Sequence, residues 1–339
     1  MDSITQATLG AAVGYMVAGR RQPRKALLYG AAFGTLPDLD ILIHYANEVD
    51  NFTRHRGFSH SWIVQTLVAP LFAWCCRRLD HSLSFKTWLT LIWLVFITHA
   101  GLDALTVYGT QLFWPLAVPP VMGGSVFIID PAYTLPLLLL VFWISFRPRT
   151  SSNYRAATLV MAVSTLYLGA SLAIKHQVEQ RVAGELARQQ IHAERFLVSA
   201  TPFNILLWRI VAIEDGYYHE GFASVFDTSG EIRFSRFERG DELMEIIAGD
   251  PQYQRLAWFS HGFHAARKSE DQIVITDLRM GTEPVYIFNF ALARYRQSNW
   301  ESIQSIKLPE PAIPGNLLLN IWHRIWNPDH AGGLSLPGS

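Results

Sequence analysis

Eight side chains of metal-ligand type, Asp38, Asp40, His44, His55, His60, His99, Asp103 and Asp130, sit among apolar stretches in the first half of a 339-residue chain. Imidazoles mixed with carboxylates suit zinc, manganese or iron better than calcium or magnesium, which favour all-oxygen sites. A metal in such a site activates water for hydrolysis near neutral pH. The spacing is suggestive. His99 and Asp103 are four apart, so on a helix they leave from one face. Asp40 and His44 would do the same if helix continues there. Asp38 and Asp40 are two apart and do not share a helix face, so a bend after Pro37 must bring their carboxylates together. In the loop His55-Arg56-Gly57-Phe58-Ser59-His60-Ser61, Gly57 allows an unusual backbone angle and Ser59 suits a helix N-cap, which would aim His55 and His60 at one point.

Each residue also has an ordinary reading. A lone histidine in an apolar segment is more often a hydrogen-bonded core residue than a ligand. Asp130-Pro131 reads equally well as a helix cap followed by a first-turn proline. Convergence carries the metal reading: ligand-type clusters lie at three helix ends, two of them internal pairs. The expected metal ligands are therefore Asp38, Asp40, His55, His60, His99 and Asp103, around one metal or two. Asp40 or Asp130 is the candidate general base, Arg54 or Arg56 the candidate holder of an anionic group, Arg56 first, and Ser59 a further hydroxyl in the catalytic set. His219, His261 and His264 lack a suitably spaced carboxylate pair and read as surface or core histidines.

The elements that must position these groups are membrane helices. Half of the residues are hydrophobic and only 17% are charged, and apolar segments run over about 4–18, 25–36, 61–76, 86–107, 126–146 and 155–175. The first reads as a retained helix: Asp2 precedes it and Arg20, Arg21, Arg24 and Lys25 follow it, opposite to a signal peptide. Gly10, Ala11, Gly14 and Ala18 would let a partner with Gly30, Ala31, Ala32 and Gly34 pack closely. The turns at 19–25, 77–86 and 147–155 hold ten Lys and Arg, against two, Arg54 and Arg56, in the alternate loops. The positive-inside rule makes those turns cytoplasmic and both termini external. All eight ligand-type residues then fall on the outer side. Adjacent Cys75 and Cys76 imply no disulfide framework, and zero net charge gives no basic field for nucleic acid.

The predicted architecture is an α-helical polytopic membrane domain of about six helices (1–175), a helical stalk (176–194), a small α+β domain outside the cytoplasm (195–308) and a Pro- and Trp-rich tail (309–339). Strands are expected at 195–200, 206–215, 221–227, 231–238, 272–278 and 284–295, with helices at 240–250 and 252–267. Residues 316–326 suit an interfacial helix or one packed on the soluble domain.

The opening Met1-Asp2-Ser3-Ile4-Thr5-Gln6, the Leu36-Pro37-Asp38-Leu39-Asp40 element, the His55–Ser61 loop, and His99-Ala100-Gly101-Leu102-Asp103 with Tyr108-Gly109 resemble the bacterial membrane-bound metal-dependent hydrolase family, the YdjM-like group. The resemblance covers residues 1–175 and, in one subgroup, the stretch from Thr201 to Arg209. Many members have His at the place of Gln6 and Thr at that of Ser59. The resemblance implies a bacterial inner-membrane hydrolase with a divalent metal, zinc first and manganese or iron next, acting at the outer face. Membrane lipids are its expected surroundings, and a lipid or lipid-linked phosphoester its expected substrate. Two other readings stay open: a metal or ion transporter, since intramembrane Asp and His also serve as relays, and a non-catalytic anchor for the soluble domain.

Overall fold

The computed structural model describes residues 1–146, 151–227, 231–312 and 315–330. The basic turn with Arg147 and Arg149 and the end of the tail lie outside the described residues. The chain has a helical N-terminal half and a C-terminal β-sheet domain. It divides into two compact units: Met1–Ile43 with His55–Ser171, and His44–Arg54 with Leu172–Ser339.

In the first unit, α1 (Ser3–Ala18) is capped by Asp2, whose side chain accepts from the Ile4 and Thr5 amides. It pairs with α2 (Pro23–Thr35) through the expected small residues. A Cβ on Gly10 would lie 2.3 Å from the Gly30 carbonyl oxygen, and one on Gly14 2.4 Å from that of Ala26. Only hydrogen at these positions lets the two backbones touch. Pro37 then ends regular helix, because it lacks an N–H to donate, and Pro37–Leu42 forms a 3-10 turn. Helix does not resume, so Asp40 and His44 share no helical face.

After the loop at 55–61 come α4 (Trp62–Leu79), α5 (Phe85–Ala104) and α6 (Pro131–Phe146). Helix α5 forms the middle of the unit, with Trp88, Leu91, Ile92 and Val95 all buried. Phe33, Phe72 and Phe96 meet edge to face beside it, with ring centroids 5.8–5.9 Å apart. On α4 and α6 the outward side chains are apolar: Leu67, Leu71, Leu139, Phe142 and Phe146 are all exposed. Among the described residues, two helices are long and apolar enough to cross a membrane, α5 and α7 (Ser151–Arg188), while α6 is apolar but shorter. The sixth apolar segment and the stalk are thus one continuous helix, and the unit boundary falls within it.

The second unit holds two four-stranded antiparallel sheets. The first, in order β1 (Arg195–Ala200), β2 (Leu207–Glu214), β3 (Tyr217–Ser224) and β4 (Phe234–Glu238), is a simple meander. The second has the order β10-β9-β6-β5, from β5 (His264–Ser269), β6 (Gln272–Asp277), β9 (Asn289–Arg296) and β10 (Asn299–Lys307), and a short hairpin joins β7 (Gly281–Thr282) to β8 (Val285–Tyr286). Helices α8 (Asp241–Ile246) and α9 (Pro251–Phe259) lie between the sheets in sequence, and α10 (Leu317–Trp326) follows β10.

Two expectations change here. The helix expected over 252–267 stops at Phe259, because His261 and Gly262 take positive φ and the Gly262 amide closes back on the Ala257 carbonyl; residues 264–269 are strand β5. Residues 48–54 are a helix, α3 (Glu48–Arg54), that belongs to this unit. Its Phe52 ring sits 4.4–5.3 Å from those of Phe259, Phe288 and Phe290, and Arg255 donates to Thr53.

Candidate metal centre

The 3-10 turn after α2 sends its two aspartates to different tasks. Asp40 anchors the loop that follows it in space: Oδ1 meets His55 Nδ1 at 2.7 Å, while Oδ2 accepts from the Arg56 amide at 2.9 Å and from Ser59 Oγ at 2.6 Å. Burial raises its pKa, but the bonds from His55 and Ser59 and the nearby His60 more than offset this and hold it below the usual carboxylate range. The loop bends at Arg56, whose φ is 58°, in the left-handed region that only a well-held non-glycine residue keeps. Gly57 next to it has φ −86° and ψ −116°, the unusual angle expected of it. Ser59 is not the N-cap of α4; that is Ser61, which accepts from the Val64 amide.

The loop delivers His60 to the place where Asp38 points. His60 Nδ1 lies 2.9 Å from Ser59 Oγ. That hydroxyl gives its hydrogen to Asp40, so Nδ1 must be the donor and the Nε2 of neutral His60 carries a lone pair. His99, on α5, follows the same logic. Its Nδ1 donates to the Gly34 carbonyl at 2.7 Å, because a carbonyl can only accept, and in the neutral ring this again leaves a lone pair on Nε2. The two Nε2 atoms face each other at 3.0 Å. Asp38 Oδ1 lies 3.2 Å from one and 3.4 Å from the other. Asp103 Oδ2 lies 3.1 Å and 3.3 Å from them, and this buried oxygen has no hydrogen-bond donor. Two opposed lone pairs between two carboxylates repel unless a positive charge, proton or metal ion, lies among them.

Asp38, His60, His99 and Asp103 offer one ligand atom each, all within 4.8 Å of one another. This set could hold a metal ion, and two nitrogens with two oxygens match the chemistry of zinc-like divalent ions. Both imidazoles are fixed through their second nitrogen, as ligating histidines usually are. The close packing of α1 on α2 sets the position of Gly34 and hence of the His99 ring. Gln6 adds to this: its Nε2 donates to the His99 carbonyl at 3.2 Å.

Arg56 is buried behind Asp103. Its Nη2 lies 3.2 Å from Oδ1, its Nη1 donates to Thr106 Oγ1, and its guanidinium stacks on Tyr108. The Met1 amino group also contacts Oδ1. Of the expected ligands, His55 and Asp40 lie beside the four rather than among them, with the His55 ring centroid 6.1 Å from that of His60. Asp130 lies outside the group. It caps α6 through the Tyr133 amide and accepts from Tyr167 at 2.7 Å. His44 is exposed and belongs to the second unit. Sequence reasoning missed the orienting roles of the Gly34 carbonyl, Gln6 and Thr106. Thr106 was signalled only by its closeness to Asp103 and Gln6 only by the His that many relatives of the family have at its place, while a backbone acceptor such as the Gly34 carbonyl leaves no trace in residue type.

No solved structure matches this chain. The inner membrane protein YbcI of Escherichia coli (strain K12) is 29% identical over 112 residues, covering 33% of this chain and 64% of that relative, so the match spans somewhat under two thirds of the relative's length. The family described as YdjM inner membrane protein matches residues 1–178, a stretch that contains every residue of the four-ligand group. The chain therefore belongs to the YdjM family of inner membrane proteins.

Proposed function

We propose that this protein is a metal-dependent hydrolase of the bacterial inner membrane, with six membrane helices and a divalent ion, zinc first, held by Asp38, His60, His99 and Asp103. The observation that carries this reading is the approach of the two Nε2 atoms to 3.0 Å beside Asp103 Oδ2, a buried oxygen with no hydrogen-bond donor. A bound ion would supply Lewis acidity for cleaving an ester or phosphoester. The chain's own groups do the rest. Asp40 fixes the loop and, through Ser59, the tautomer of His60. Arg56 keeps Asp103 ionised and turned inward, a counter-charge role in place of the anion clamp. Asp40 and Asp130 are committed to hydrogen bonds with the protein, which leaves Asp38 as the carboxylate placed to take a proton from water. Its side chain is 18% exposed while those of the other three are at most 1%, so reactants enter at Asp38.

A lipid or lipid-linked substrate suits that entrance. Leu39, Ile41 and Leu42, which alternate with or follow the two aspartates, are 51%, 68% and 69% exposed. An apolar rim around a polar centre is the arrangement an acyl chain requires. The charge asymmetry of the turns favours a centre at the outer face of the membrane, with both termini outside. Metal analysis of the purified protein, followed by a panel of lipid esters and phosphoesters, tests the reading. Near-stoichiometric metal with hydrolysis lost in His60→Ala supports it. Metal flux into proteoliposomes with no hydrolytic product would replace it with a transporter, and a metal-free protein would leave the anchor reading.

A further inference from the structure

Helix α10 has three faces. At about 100° per residue, Ile321, Arg324 and Ile325 share one side and are buried, packed with Leu207 and Phe222. Asn316, Asn320 and His323 share a polar side. Between them Leu318, Leu319, Trp322 and Trp326 form a stripe about 100° wide, with every member more than half exposed. Phe226 extends this stripe, stacked on Trp326 with centroids 4.9 Å apart and itself 49% exposed. The inner face is firmly held: Arg324 binds both oxygens of Asp227 at 2.7 and 2.9 Å. The stripe is therefore displayed by a fixed helix.

Arg181 of α7 donates to the Ser224 carbonyl at 3.0 Å, and Ser224 Oγ donates to the Ile325 carbonyl at 2.7 Å. One residue thus links α7 to α10 within the C-terminal unit. Arg181 lies seven residues past Ile174, where the apolar stretch of α7 ends, a rise of about 10 Å. For a helix that crosses the bilayer at a tilt, this is the outer edge of the headgroup layer. Tryptophan is favoured at that depth because its ring is apolar and its N–H is wetted.

We propose that the Leu318–Leu319–Trp322–Trp326 stripe, with Phe226, lies in the headgroup–acyl boundary of the bilayer that α7 crosses and docks the C-terminal domain onto that lipid surface. The docking rests on α7 spanning the membrane and is independent of any hydrolase activity.

The test uses the full chain with Cys75→Ser and Cys76→Ser, in vesicles of phosphatidylethanolamine and phosphatidylglycerol. Nitroxide labels go on Leu318→Cys, Leu319→Cys or His323→Cys, and their relaxation by dissolved oxygen and by a water-soluble nickel chelate is compared. Labels at 318 and 319 should favour oxygen over nickel and report depths of about 5–10 Å, while the label at 323 should favour nickel. Nickel accessibility at 318 and 319 equal to that at 323 overturns the proposal. Shielding of 318 and 319 from both reagents also overturns it, because a protein surface then covers the stripe. The two stripe positions are read separately, so a folding defect in one leaves the other as the test.

Discussion

Asp103 divides its two oxygens between Arg56 and the histidines. Oδ1 takes the guanidinium at 3.2 Å, while Oδ2 faces His60 and His99 at 3.1 and 3.3 Å. Metal affinity and structural stability therefore meet in one carboxylate, and substitutions should separate them. His60→Ala and Asp103→Asn should each abolish stoichiometric metal. Asp103→Ala should also strand the buried Arg56 charge and lower stability by roughly 3–5 kcal/mol. Metal stoichiometry and thermal unfolding in detergent check both. Equal melting temperatures for Asp103→Ala and His60→Ala would show that Arg56 does not depend on Asp103. Both side chains are buried, so truncating either should cost some stability.

The glycine contact between α1 and α2 should matter to the metal as well as to the fold. A Cβ on Gly30 would meet the Gly10 carbonyl oxygen at 2.2 Å, backbone that cannot step aside. Gly30→Leu should push α2 outward, cost about 1–3 kcal/mol or more, and displace the Gly34 carbonyl that fixes His99. Reduced thermal stability together with weaker zinc binding is expected. A large stability loss with unchanged affinity would uncouple the helix pair from the site.

Topology is read by fusion. Alkaline phosphatase joined after Lys175 should be active and after Arg78 inactive, as the distribution of Lys and Arg requires. The reverse pattern would put the centre on the cytoplasmic side.

In the C-terminal domain, burial first, and Arg239 next, push the pKa of His264 down to about 4. Its ring lies between Tyr253 and Ser260. A depressed histidine pKa resists protonation in the fold but not in the unfolded chain. Stability is therefore full above the unfolded value of about 6.5 and falls as pH drops from there toward 4. The loss is about 3 kcal/mol by pH 4. Denaturant unfolding between pH 7 and 4 should show this slope, and His264→Gln should flatten it. An unchanged slope in the variant would assign the acid sensitivity elsewhere.

The helical half was readable because its signals are local. Gly10 and Gly30 announce close packing by their size, Pro37 announces a stop, and Asp130-Pro131 announces a helix start. His60, His99, Asp38 and Asp103 were readable as types. Their division from His55 and Asp40 was not, because it depends on which lone pair is already taken, and Ser59 decides that across the loop. The left-handed conformation of Arg56 beside the expected unusual angle at Gly57 was not legible, because tertiary bonds to Asp40 and from the Gln111 amide hold Arg56 there. Strand β10 was overlooked because its residues alternate only weakly between apolar and polar.

Residues 44–54 leave the helical unit, lodge Phe52 among three phenylalanines of the β-sheet domain, and return. The neck of this excursion is pinned shut by Asp40 and His55, 2.7 Å apart. The two halves are thus spliced, not strung end to end. A gene cut after codon 178 would encode all four candidate ligands yet leave Phe52 without its pocket, with the loose end fastened directly to the loop that carries His60.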